Sequence, residues 1–349
     1  MKLSVIGAIV YDDIITHDGM RRESFGGITY NIAALSSIVD DDTDIHPVTN
    51  VAEDRWDDVI GLLARYPLVK MDGVERVSGK LTTARLEYTS PTWRDETVLH
   101  PMRPLTPERL GGALDSDAVL VNFINGTELE LDTFVGLREE GRGFLHLDVH
   151  SKVGRWDEQG KKSQVRFKDW EEWLGRVDAA QMNEFECELT VGRKLRDEQD
   201  FVRAGAEIVD AGAPIVLITL GPLGSVLVYE REACPACPER LSRAQSRDSR
   251  REGSAGGGLY WVANPALDVE QVVDTTGCGD SFSAGFLWNY LQCRDPVKAN
   301  AAANIVAGIN CTTSGIGHLE AARGALDQIP SAFPELGAKI MAGWPGEKF

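Results

Sequence analysis

Short, nearly unbroken apolar runs recur along the chain at residues 3–10, 118–123, 143–149, 179–182 and 214–220, with helical patterns between several of them at 29–38, 54–65, 106–114, 131–140 and 198–211. A strand covered on both faces reads as a continuous hydrophobic run, because neither set of its alternating side chains meets water. Strand then helix, repeated, predicts an α/β protein: a three-layer α/β/α sandwich around a mostly parallel sheet. The whole chain, 1–349, reads as a single domain of this kind.

Two regions interrupt the rhythm. Residues 80–88 and 96–100 are strand-like pieces around Ser90-Pro91-Thr92, and residues 14–25 offer further strands beside them. Together the segments 14–25 and 80–100 predict a small β lid on the main body, which also offers a homodimer contact. Residues 230–258 hold Cys234-Pro235-Ala236-Cys237, a Ser/Arg-rich run and Gly256-Gly257-Gly258. Such a composition buries too little surface to order itself, so a mobile insertion is expected.

A net charge of −18 repels phosphate backbones and anionic lipid, so neither nucleic acid nor a membrane is an expected partner. Six cysteines in 349 residues are too sparse for a disulfide framework, and reduced thiols are expected. With no cleavable leader and no apolar run of membrane-spanning length, the expected location is the cytoplasm.

The strongest local pattern is Asp274-Thr275-Thr276-Gly277-Cys278-Gly279-Asp280, followed by an amphipathic run. Small residues where a loop enters a helix leave backbone N–H groups free to receive a phosphate. A carboxylate at Asp280 opposes an anion there, unless it takes a proton from a nucleophile aimed at phosphorus. Earlier in the chain, Asp12 lies at the end of the first apolar run, and Gly26-Gly27 followed by Asn31 opens the first helical pattern. A carboxylate, close-approach glycines and a carboxamide suit a polyhydroxy ligand. Each pattern alone also fits an ordinary turn or helix cap.

Four segments in order resemble the ribokinase, or PfkB, family of carbohydrate and nucleoside kinases. Asp274-Thr275-Thr276-Gly277-Cys278-Gly279-Asp280 is similar to its C-terminal signature, with Cys278 in place of alanine, and Phe25-Gly26-Gly27 with Asn31 to its N-terminal one. Asn183-Glu184-Phe185-Glu186 resembles its Asn-x-x-Glu motif, and Ile218-Thr219-Leu220-Gly221-Pro222-Leu223-Gly224 its nucleotide-site strand and turn. The resemblance implies the ribokinase-like fold and transfer of the γ-phosphoryl group of ATP to a hydroxyl of a small sugar, sugar acid or nucleoside. Asp280 would then be the general base, and Gly277, Cys278 and Gly279 the anion hole. Asp12, Gly26, Gly27 and Asn31 would bind the acceptor. Asn183, Thr219, Gly221, Gly224 and Asn304 would bind the nucleotide. Glu186 would hold Mg²⁺ through water. Asp274 and Thr276, with the loop near Ser314-Gly315, would hold a monovalent cation such as K⁺.

A thiol at a helix N-terminus predicts a lowered pKa for Cys278. Asp148-Val149-His150-Ser151-Lys152 stands where many sugar-kinase relatives carry Asp-x-Asn-x-Arg, which bears on the acceptor. The same resemblance leaves open a nucleoside kinase specifically, or a non-catalytic sugar- or nucleotide-binding sensor, against which the retention of Asp280, Asn183 and Glu186 counts. Other enzyme classes lack their patterns. The Gly-Lys pairs at 79–80 and 160–161 have the wrong spacing for a P-loop, no Gly-x-Gly-x-x-Gly follows the first run, and no Gly-x-Ser-x-Gly elbow occurs.

Overall fold

The computed structural model describes residues 1–89, 94–235, 251–256, 258–316 and 321–326. A ten-stranded sheet runs through the molecule in the order Arg251–Gly256, Leu259–Asn264, Ser225–Glu230, Ile215–Thr219, Ala179–Asn183, Phe144–Asp148, Ala118–Asn122, Lys2–Gly7, Asp44–Ala52, Val74–Val77. From Ile215–Thr219 to Val74–Val77 every pairing is parallel, and the three pairings at the other edge are antiparallel. The expected α/β/α sandwich with a mostly parallel sheet is the fold observed.

Side chains alternate between the two faces. Val119 and Val121 join a layer with Phe134, Leu137, Trp173, Phe201 and Ile208, whereas Ala118 and Leu120 join Ile32, Leu35, Ala284 and Leu287. Helices Leu131–Glu140, Trp170–Leu174, Glu184–Val191 and Glu198–Asp210 cover the first face; Thr29–Ile38, Cys278–Cys293 and Pro296–Asn310 cover the second. Because the parallel strands point the same way, their carboxyl ends, Gly7, Asn122, Asp148, Asn183 and Thr219, form one edge.

The apolar run at residues 3–10 is two strands in two sheets. Lys2–Gly7 belongs to the main sheet; Ile9–Ile15 belongs to a separate four-stranded sheet ordered Arg21–Gly27, Ile9–Ile15, Thr83–Tyr88, Arg94–Leu99. The break falls beside Gly7, where a Cβ would collide with the Asn122 carbonyl and the Ile28 side chain. Asp12 is therefore in the middle of a strand, paired with Ser24 and Ala84, and does not end the first one. Beside it, Asp13 pairs with Arg21 and Arg85 from the two flanking strands, and the Arg21 guanidinium first of all holds its carboxyl below the usual range.

Two further expectations are corrected. Residues 251–256, placed in the mobile insertion, are an edge strand paired with Leu259–Asn264; residues 236–250 and Gly257 lie outside the described residues. Cys187, Cys278, Cys293 and Cys311 are free as expected, but Cys234 is disulfide-bonded. Among the described residues no helix is long and apolar enough to cross a membrane.

Candidate active site

Helix Cys278–Cys293 begins at Gly277, whose backbone is left-handed (φ 77°) and pressed against Tyr30 so closely that a Cβ would enter the ring. No side chain caps this end; the Cys278 N–H makes a long 3.3 Å bond to the Thr275 carbonyl, and a helix start of this kind suits an anion. One turn in, Asp280 is 7% exposed, and burial pushes its carboxyl up to about 6.

The side chain that meets Asp280 is Asn122, at the end of strand Ala118–Asn122. Its Nδ2 donates to Asp280 Oδ1 at 2.6 Å and to Asn31 Oδ1 at 3.0 Å. Asn31 in turn donates from Nδ2 to the Asp280 carbonyl at 2.8 Å. These three groups form one buried unit joining the sheet edge, the first helix and the glycine turn. The bond from Asn122 favours the ionised carboxyl, opposing burial. Asn122 had no motif to mark it, and it was missed.

A second unit lies behind the glycines. Asp148 Oδ2 accepts from Gln181 Nε2 at 2.8 Å and from Ser283 Oγ at 2.7 Å, and both donors also reach the Gly279 carbonyl, at 3.0 and 3.1 Å. Burial, then the charges of Glu186 and Asp280, hold the Asp148 carboxyl well above its usual range. Through these two shared donors Asp148 fixes the turn from beneath. Gln181 and Ser283 had no motif to mark them, and Asp148 was singled out only with the segment 148–152, with no tie to the glycine turn.

Asn183 and Glu186 start the next helix, Glu184–Val191, as a closed reciprocal pair. Asn183 N and Nδ2 each donate to a Glu186 carboxylate oxygen at 2.7 Å, and Glu186 N donates to Asn183 Oδ1 at 2.9 Å. Burial raises the Glu186 carboxyl, and Lys162 partly offsets this. Asn183 lies beside Thr219 in the parallel ladder. Beyond Thr219, Gly221 (φ 54°) and Gly224 (φ 97°) turn the chain, and a Cβ at Gly224 would strike the Asn264 carbonyl. Asn304 is buried, its Nδ2 engaged by Ser225 Oγ at 2.8 Å and Asn300 O at 2.9 Å.

On the other side, Asp12 packs directly over Gly26, where any Cβ would overlap its carboxylate. Gly27 (φ 67°) lies against the Ala8 carbonyl. The Asp274 carboxylate accepts from Thr276 N at 2.9 Å and from Ser314 Oγ at 3.4 Å, while Asn310 Nδ2 donates to the Thr276 carbonyl at 2.8 Å. The loop near Ser314 is thereby joined to the glycine turn.

Cys278 departs from expectation: its thiol is pushed up to about 12, first by burial and then by neighbours including Cys311, Asp274 and Asp280. Desolvation and like charges outweigh the half charge of the helix end. Lys152 is also displaced from the site, its ammonium lying 3.7 Å from the centre of the Trp173 ring.

Residues 256–322 match the family model described as pfkB family carbohydrate kinase. Over 120 residues the chain is 32% identical to a 1-phosphofructokinase of Haloferax volcanii, covering 33% of this chain and 30% of that one. Over 145 residues it is 28% identical to a ribokinase of Haemophilus influenzae, covering 42% and 38%. The chain thus spans about a third of the length of these curated relatives. Among solved structures, a pyrophosphate-dependent kinase in the ribokinase family superposes with a TM-score of 0.68 at 20% identity, covering 92% of this chain and 98% of that one.

Proposed function

We propose that the chain, whose residues 256–322 match the pfkB family carbohydrate kinase model, transfers a phosphoryl group from ATP to a hydroxyl of a small sugar, sugar acid or nucleoside. The observation that carries this reading is Asp280: a buried carboxyl with a pKa near 6, beside uncapped N–H groups of a helix start. At neutral pH it is mostly ionised yet basic enough to accept a proton. The acceptor hydroxyl gives its proton to Asp280 as its oxygen bonds to phosphorus, and the bond from phosphorus to the departing ADP oxygen breaks. Gly277, Cys278 and Gly279 offer N–H groups to the charge on the moving phosphoryl group.

Asp12 and Asn31, with backbone admitted by Gly26 and Gly27, bind the acceptor's hydroxyls. The four-stranded sheet that carries Asp12 acts as a lid, keeping water from the donor, and offers the face for a homodimer. Thr219, Gly221 and Gly224 hold the donor's phosphates and ribose, with Asn304 bordering the base. Oxygen donors suit Mg²⁺, and a divalent cation beside the buried Glu186 would favour its carboxylate form against the burial that raises its pKa. Asn183 and Glu186 would hold the water shell of that ion, which would spread the donor's negative charge. Asp274, Thr276 and Ser314 form the place for K⁺. We assign the reaction to the cytoplasm, where nucleotide donors are made.

A second donor is favoured by one finding, the superposition on a pyrophosphate-dependent kinase. The test is a panel of sugars, sugar acids and nucleosides, each with Mg-ATP and with Mg-pyrophosphate, scored for acceptor-dependent release of ADP or phosphate. Release with at least one pair supports the proposal. Binding of ATP without release across the panel would favour the sensor instead.

A further inference from the structure

Lys152 and Lys162 both follow Asp148 in the chain, and the fold sends them to different places. Lys152 lies over Phe123 and Trp173, 4.5 and 3.7 Å from the ring centres, and donates to the Gly126 carbonyl at 3.4 Å. Its charge is committed to that apolar layer. Lys162 starts the second strand of a hairpin, Gly154–Trp156 with Lys162–Gln164. Its ammonium donates to Ser151 Oγ at 3.0 Å and to Glu96 at 3.3 and 3.4 Å. Ser151 is three residues beyond Asp148, and Glu96 belongs to lid strand Arg94–Leu99, so Lys162 joins the sheet edge to the lid.

The hairpin is fastened to that lid strand independently of Lys162. Val98 N donates to the Gly160 carbonyl at 2.8 Å, Thr97 and Lys161 form a bridge, and Lys161 pairs with Asp95 at 3.6 Å. The ammonium is thus not needed as a strut. Its distances to Glu96 exceed the 2.7–2.9 Å of a strong charged pair, and both side chains remain about one-fifth exposed. A loose pair of this kind can exchange its carboxylate for a phosphate. The need for a cation is plain: Asp148, Glu186 and Asp280 are all buried acids, and a phosphoryl donor adds negative charge beside them.

We propose that Lys162 is a donor-binding residue, its ammonium leaving Glu96 for the terminal phosphate of the donor while Ser151 holds the side chain in place. The hairpin then brings to the site the cation that Lys152 does not. This rests on the phosphotransferase reading, and Lys162 makes no covalent bond and transfers no proton.

The test is direct titration of Mg-ATP and of Mg-pyrophosphate, without acceptor, into wild type, Lys162→Met, Lys162→Arg and Glu96→Gln. Loss of a charged hydrogen bond to phosphate predicts roughly 10–100-fold weaker donor binding in Lys162→Met. Lys162→Arg recovers most of it, and Glu96→Gln, which removes the competitor, binds the donor as tightly as wild type or tighter. Donor binding by Lys162→Met within twofold of wild type overturns the proposal. So does an equal loss in Glu96→Gln, which would make the pair a structural tie. If wild type itself binds neither donor, the phosphotransferase reading fails, and this inference with it.

Discussion

Replacing Asp280 by asparagine should make the protein more stable while disabling it. The carboxyl's pKa is about 6 in the folded chain against 3.8 for a freely solvated aspartate. Below pH 3.8 the group is protonated whether folded or not, and burial costs nothing in charge. Between pH 3.8 and 6 the unfolded chain releases a proton that the native state keeps, so stability falls as pH rises. Above pH 6 the loss is complete, at about 1.36 kcal/mol per unit or about 3 kcal/mol in all. Asparagine has the same shape, its oxygen still accepts from Asn122, and it carries no charge to bury. Asp280→Asn should therefore gain up to about 3 kcal/mol at pH 8, about 4 °C in Tm for a chain of this size. The gain should vanish near pH 4. Urea unfolding of both proteins across pH 4–8 measures it. A variant no more stable than wild type at pH 8, or a gain that persists at pH 4, would show that Asp280 carries no burial penalty.

Two other substitutions test the neighbours of that group. Asn122→Leu removes the 2.6 Å bond that favours the carboxylate; a charged hydrogen bond is worth about 1.5–3 kcal/mol, so the acidic limb of the kcat/KM profile should move up by about 1–2 units. An unmoved limb would mean that Asn122 does not tune the base. Gly26→Ala drives a methyl group into the Asp12 carboxylate, so the acceptor's KM should rise at least about tenfold with the donor's KM little changed, since a displaced hydrogen bond costs about 1.5 kcal/mol or more. Equal losses for both substrates would place Asp12 outside the acceptor site.

The parts of the site that were legible in sequence are those where backbone conformation dictates residue type. Gly277 and Gly224 stand at positive φ against a ring and a carbonyl, and no other residue fits there without strain. Glu186 three residues after Asn183 is a local capping pair, readable from spacing alone. Asn122 and Gln181 were not legible, because they meet the glycine turn across 158 and 98 residues of chain; Asp148 stood out only within its own segment, and its tie to the turn runs through Gln181 and Ser283. Only the register of the parallel strands, which sets Asn122 beside Asp148, puts them there. The split at Gly7 was hidden for a related reason: both strands are buried, so the apolar run continues unbroken while the chain passes from one sheet to another. Cys278 shows the converse error, in which a local rule about helix ends was applied without the burial that only the fold reveals.

The central claim, that Asp280 takes the acceptor's proton, is tested most directly by the turnover of Asp280→Asn with the acceptor and donor that the panel identifies. General-base help is worth about 10²–10⁴ in rate, so kcat should fall by that factor while donor binding, measured by titration, changes little. A folded variant that keeps more than about a tenth of wild-type kcat would contradict the account, because that loss is smaller than a general base's least contribution.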